Sequence, residues 1–182
     1  MSSLARKIKS ILHHKSTPEF LFSIYFNWKN AKDKKNLFSV LKEEDDLMVI
    51  VKEKLHPYLN SLIQNVLDAE DNADIPRNKN AGQIIEEQLV LHNGIRVDPL
   101  SYYNYPILKM LMENKGVHEP QEEKIFQQVL HSLSKNSSKK MLELGSYWSF
   151  YSIWFKKLFP TAQCYMVEPH RQNLVYGKRN FK

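Results

Sequence analysis

Between Lys140 and Pro169 the chain reads as strand, glycine turn, helix, strand and acid, an order that points to a βαβ architecture. Met141 to Leu144 is a short run, apolar except for Glu143, and it breaks at Gly145. A helical pattern runs from Phe150 to Phe159 and stops at Pro160. A second apolar run, Cys164 to Val167, ends on the acid Glu168. The pattern predicts two parallel strands joined by a helix. Glycine lets the backbone turn tightly from strand to helix and leaves room for a ligand. An acid at the tip of the second strand can accept two hydrogen bonds from a ribose diol. Both features fall at the carboxyl edge of the pair, where open α/β sheets bind their ligands.

The loop argues about which nucleotide. A dinucleotide fingerprint carries three glycines, so that the backbone can approach a pyrophosphate. Here Gly145 stands alone, Ser149 holds a position where another glycine is expected, and Tyr147 and Trp148 are bulky for a phosphate cradle. A ligand without phosphates fits better, and a nicotinamide enzyme is the weaker alternative. The segments Glu143-Leu-Gly-Ser-Tyr-Trp-Ser-Phe-Tyr-Ser, Val167-Glu-Pro and Asn173-Leu together resemble the cofactor motifs of S-adenosylmethionine-dependent methyltransferases, specifically the FkbM-like family. Upstream, Gly116-Val-His-Glu-Pro-Gln-Glu-Glu-Lys-Ile-Phe is similar to the helix such proteins place before the first strand.

The resemblance covers roughly the last third of the chain. It implies the start of a Rossmann-like class I methyltransferase sheet and S-adenosylmethionine as cofactor. Glu143, Gly145 and Ser146 would line the methionine end, Tyr147 belongs to the same set, and Glu168 would hold the ribose. The implied reaction is O-methylation of a sugar or other small hydroxyl acceptor. No residue is assigned as catalytic base. Such a sheet has further strands, and Lys182 falls within the helix after the second one. The reading is therefore of an N-terminal portion with an incomplete site, inactive alone. It would be completed by the remainder of the domain or by homo-oligomerisation. The alternative is a non-catalytic remnant or helical interaction module, in which the βαβ unit only packs and Glu168 caps the next helix.

The N-terminal part reads as helical over residues 1–70. Leu4, Ile8, Ile11 and Leu12 fall at helical spacing. Thr17 and Pro18 open a helix bearing Phe20, Leu21, Ile24, Tyr25 and Trp28. A further helical pattern spans Leu37 to Leu55, Pro57 interrupts it, and Leu59, Leu62, Ile63, Val66 and Leu67 continue at intervals of three and four. Residues 71–87, acidic, amide-rich and containing Pro76, read as a linker. The remainder, 88–182, reads as a hairpin followed by the Rossmann-like region. In the hairpin Asn93-Gly94 accepts positive φ at both turn positions. A helix from Ile107 to Glu113 comes next, and Pro120 opens another whose first-turn acids suit its dipole. Glu119 and His118 could flank a cofactor, but capping is the favoured role.

Charge and cysteine usage narrow the classes. The net charge is +6, yet no arginine-rich stripe accompanies the lysines, so solvated surface is favoured over nucleic-acid binding. The single cysteine, Cys164, excludes an internal disulfide framework and points to a reducing, cytoplasmic location. Phe20 to Phe26 is too short to span a bilayer. His13, His14 and His56 lack partners at metal-ligand spacing, so no metal is expected.

Overall fold

The structure, a computed structural model, describes residues 10, 19–40, 57–102, 105–133 and 138–181. The chain divides into two compact units, Met1–Glu43 and Glu44–Lys182. Among the described residues the architecture is mixed α/β, with six α-helices and two small sheets. No helix there is long and apolar enough to cross a membrane.

The first unit holds helix α1, Glu19–Val40. Phe26, Asn30 and Leu37 are buried, and their spacing of four and seven puts them on one face. The sequence pattern placed a separate helix from Leu37, but α1 runs through that residue to Val40. Nothing from Lys29 to Asn36 interrupts it, neither proline nor glycine. Of the helix expected at Leu4 to His14 only residue 10 is described, in helical conformation, and the rest of the Leu37 to Leu55 pattern lies outside the described residues.

In the second unit, helix α2, Pro57–Leu67, begins at its proline, which suits the first helical turn because its missing N–H would be unpaired there anyway. Ile63 and Val66 bury its apolar face. The segment 71–87 is folded. Ile75 is buried, Arg77 donates to the carbonyls of Asn72 and Ile75, and Lys124 pairs with Asp71 and Asp74. Polar composition hid this order, because the segment is tied down through its backbone and charges more than through apolar burial.

Strands β1 (Ile84–Ile85), β2 (Gln88–Val90) and β3 (Arg96–Val97) form an antiparallel meander. Glu86 and Glu87 make the first turn, with φ of 51° and 60°. The second turn lies where the hairpin was expected, but only Gly94 is left-handed, at φ 75°. Its N–H bonds Leu91 O, and the side chain of Asn93 accepts from Ile95 N, so the asparagine braces the turn with its carboxamide.

Helix α3, Tyr105–Glu113, buries Ile107, Leu108, Met110 and Leu111. It ends at Gly116, φ 79°, where a Cβ would fall on the backbone nitrogen of His92. Helix α4, Pro120–Ser132, follows. Strand β4 (Lys140–Leu144), helix α5 (Phe150–Leu158) and strand β5 (Gln163–Val167) then make the expected parallel unit, in register from Lys140 opposite Gln163 to Leu144 opposite Val167. Helix α6, Arg171–Asn180, closes the described chain. Phe150, Trp154 and Phe155 bury one side of α5. The opposite sheet face is open: Leu142, Leu144, Tyr165 and Val167 are each more than half exposed.

Candidate functional site

The loop from β4 to α5 folds back over the end of β5. The N–H groups of Gly145 and Ser146 both donate to Val167 O, at 2.8 and 3.0 Å. Gly145, Tyr147 and Ser149 all take left-handed φ, at 73°, 42° and 67°. The position where a second glycine was expected thus has a glycine-like conformation, and serine occupies it at a cost of about 1–2 kcal/mol. Ser149 is buried, and its Oγ stands where a Cβ on Gly177 would sit, which brings α6 close against the loop.

The five residues expected to bind a cofactor divide by environment. A Cβ built on Gly145 meets nothing within 4 Å, so this glycine borders open space. Ser146 next to it is 3% exposed, and its Oγ has no hydrogen-bond partner among the described residues. Buried hydroxyls are ordinarily paired, so this one retains its capacity to hydrogen-bond. Glu168 lies at the tip of β5 as expected. Its Oε2 accepts from Tyr147 N at 2.9 Å and its Oε1 from His170 N at 2.7 Å. The acid therefore clamps the loop and the start of α6, while each oxygen retains accepting capacity. Tyr147 is half-buried, its ring 5.7 Å from that of Tyr102.

Glu143 is engaged elsewhere. Its Oε2 accepts from the N–H of Ser152 at 3.1 Å and from the Ser152 hydroxyl, which seats it under the first turn of α5. Burial pushes its carboxyl up, more than the bonds from Ser152 hold it down, and the charge of Glu119 adds to the rise. Glu143 also lines a cavity of about 370 Å³ with Tyr151, Phe126 and Met141.

A buried polar cluster stands behind the loop. Glu123, 0% exposed, places Oε1 2.6 Å from His118 Nδ1 and Oε2 3.1 Å from His92 Nε2. The same Oε1 accepts from the N–H groups of His118 and Glu119, at 3.0 and 3.2 Å, so the acid also caps α4 from within its first turn. Burial alone would raise the Glu123 pKa, but the charge of His118 and the bonds from both histidines hold it far below the usual range. For His118, burial works downward, and the charge and hydrogen bond of Glu123 reverse it to a net rise. The His118 ring packs edge-on against Tyr102, Trp148 and Phe150. Glu119 accepts from Tyr151 OH at 2.7 Å, and burial, then the charge of Glu119, raises that phenol's pKa.

Capping was the role favoured for Glu119 and His118, but the Glu119 side chain makes no cap bond and accepts from Tyr151 instead, and it is Glu123 that binds the amides at the start of α4. The pairing with His92 carries no local signal, because the two residues are 31 positions apart and only the fold joins them. Among the described residues no three acidic, histidine or cysteine side chains are grouped to hold a metal ion.

No family model, characterised protein or solved structure matches the chain.

The site's chemistry is therefore read from its geometry. A turn with a free side, an unpaired buried hydroxyl and a carboxylate lie on adjacent loops at the carboxyl end of two parallel strands. That arrangement can hold a polar ligand by hydrogen bonds, with an apolar ring surface supplied by the Tyr147 and Tyr102 side.

Proposed function

We propose that the chain is an S-adenosylmethionine-dependent methyltransferase region of the FkbM-like kind. Its β4–α5–β5 unit is then the start of a Rossmann-like sheet, and its acceptor a sugar or other small hydroxyl compound. The observation that carries this reading is the unpaired, buried Ser146 Oγ beside the open side of Gly145. Ser146 would hydrogen-bond the methionine end of the cofactor, and Gly145 would let it approach the backbone. Glu168 would accept from the ribose hydroxyls while keeping its hold on Tyr147 N and His170 N. Glu143 serves by position: it fixes the first turn of α5 through Ser152, and so the path of the loop. The cofactor supplies an electrophilic sulfonium methyl, and the protein's contribution is to align it with the acceptor.

Calorimetric titration of the chain with S-adenosylmethionine, its demethylated product and NAD tests the reading. Binding of the first two in preference to NAD is expected, and tighter NAD binding would overturn it. The second reading, a βαβ unit that only packs, draws on the double backbone engagement of Glu168. Under it, replacing Glu168 lowers stability and leaves no ligand affinity to lose.

A further inference from the structure

A second cavity lies away from the strand ends, between the hairpin turn, the C-terminal end of α5 and the end of α6. It measures about 320 Å³, and its lining includes Arg96, Lys156, Lys157, Asn180, Ile153 and Phe181. We propose that this cleft binds a small organic phosphate, with the anion held by Arg96, Lys156 and Lys157 and an apolar portion set against Ile153 and Phe181. The proposal goes beyond the methyltransferase reading and does not depend on it.

Three observations carry it. Three cations line one cleft, and an anion placed among them would be attracted by each. Among the described residues no carboxylate pairs with Lys156 or Lys157. Their ammonium groups are used to cap carbonyls, Lys156 Nζ on Ala162 O at 2.7 Å and Lys157 Nζ on Asn93 O at 2.8 Å. Each bond takes one of three N–H donors, however, and two remain on each lysine.

Lys157 is the more telling of the pair. Burial lowers its pKa, and no acid offsets the effect. It is an exposed cation with no carboxylate beside it among the described residues. Its Nζ also stands so near Gly94 that a Cβ there would lie 3.3 Å from it, so the glycine keeps the turn clear of the ammonium. Arg96 does have a partner, Glu86, at 2.7 Å, but that side chain is 78% exposed and its hold is weakened by solvent. Asp98, adjacent to the Asn180 end, is paired with Arg179 at 3.5 Å and with the backbone of Leu100. A dianion suits three cations better than a monoanion does, and Ile153 and Phe181 give an apolar body a wall that water does not satisfy.

Phenyl phosphate is the probe, titrated calorimetrically into the full chain at low and at moderate salt. Binding should weaken as salt rises, and benzyl alcohol, with the ring but no charge, should bind at least tenfold more weakly. Lys157→Gln and Arg96→Gln should each weaken phenyl phosphate fivefold or more, whereas Lys35→Gln on the separate N-terminal unit should change nothing. Circular dichroism of each variant confirms folding, and the two cleft variants lie on different elements, so one reads the site if the other disrupts its turn. Equal binding of benzyl alcohol would overturn the proposal, as would undiminished affinity in both cleft variants, an equal loss in Lys35→Gln, or no binding of phenyl phosphate at all.

Discussion

Glu123 is the residue on which the interior charge balance rests. It faces two histidines and two backbone amides with no solvent to share the load. Glu123→Gln removes the counter-charge while leaving the histidines buried, and a loss of about 3–5 kcal/mol is expected in chemical denaturation. The pH dependence follows from the two shifts. The depressed Glu123 pKa gives stability that is complete above its ordinary 4.5 and is lost as pH falls below it. The raised His118 pKa gives stability that is complete below its ordinary 6.5 and is lost as pH climbs through the folded-state value. Both contributions are present together between 4.5 and 6.5, so the midpoint denaturant concentration should peak in that window, and Glu123→Gln should flatten the peak. Glu168 poses the functional question at the same scale. Charged hydrogen bonds are worth about 1.5–3 kcal/mol, so Glu168→Gln should weaken S-adenosylmethionine roughly tenfold to a hundredfold if the acid holds a ribose. An unchanged dissociation constant in the folded variant would leave the acid a purely structural clamp.

Turns between elements separate two demands that glycine can meet. Gly116 and Gly145 both sit in the left-handed region, at 79° and 73°. At Gly116 the end of α3 presses on the hairpin, and a Cβ would collide with the backbone of Leu91 and His92. At Gly145 a Cβ meets open space. Gly145→Ala should therefore cost only the conformational strain, about 1–2 kcal/mol. Gly116→Ala should add a backbone displacement to the same strain, of about 1–3 kcal/mol more. Thermal melts of the two variants check the order, and an equal loss would mean that the turn beside His92 yields freely.

At the scale of the whole molecule, the open face of the parallel pair is the least protein-like feature. Parallel strands are ordinarily covered on both faces, yet Leu142 and Leu144 of β4 and Tyr165 and Val167 of β5 turn outward together. Contiguous apolar surface of this kind binds hydrophobic dyes. Leu142→Thr and Leu144→Thr, at 61% and 72% exposure, should each alter stability by no more than about 0.5 kcal/mol. The double variant should markedly lower dye fluorescence. A loss of several kcal/mol from either single change would show that the face is covered in solution.

Local rules were enough for the elements that answer to local rules. The apolar runs bounded by Gly145, Pro160 and Glu168 set out β4, α5 and β5 to within a residue or two, because strand length, a glycine break and a proline stop act on neighbouring residues alone. Pro120 marked its helix start for the same reason, as the proline ring shapes only its own turn, and Pro57, read as an interruption of a helical pattern, also opens a helix. Tertiary structure decided what depends on partners distant in the chain. It ordered residues 71–87 through Lys124, turned Glu143 inward to Ser152, joined His92 to Glu123, and left Ser146 without a partner. The Lys124 pairs lie at the solvent-exposed surface and depend only on the fold bringing the charges together, whereas the other outcomes turn on desolvation, which is set by what the folded chain places around a group rather than by the residues beside it in sequence.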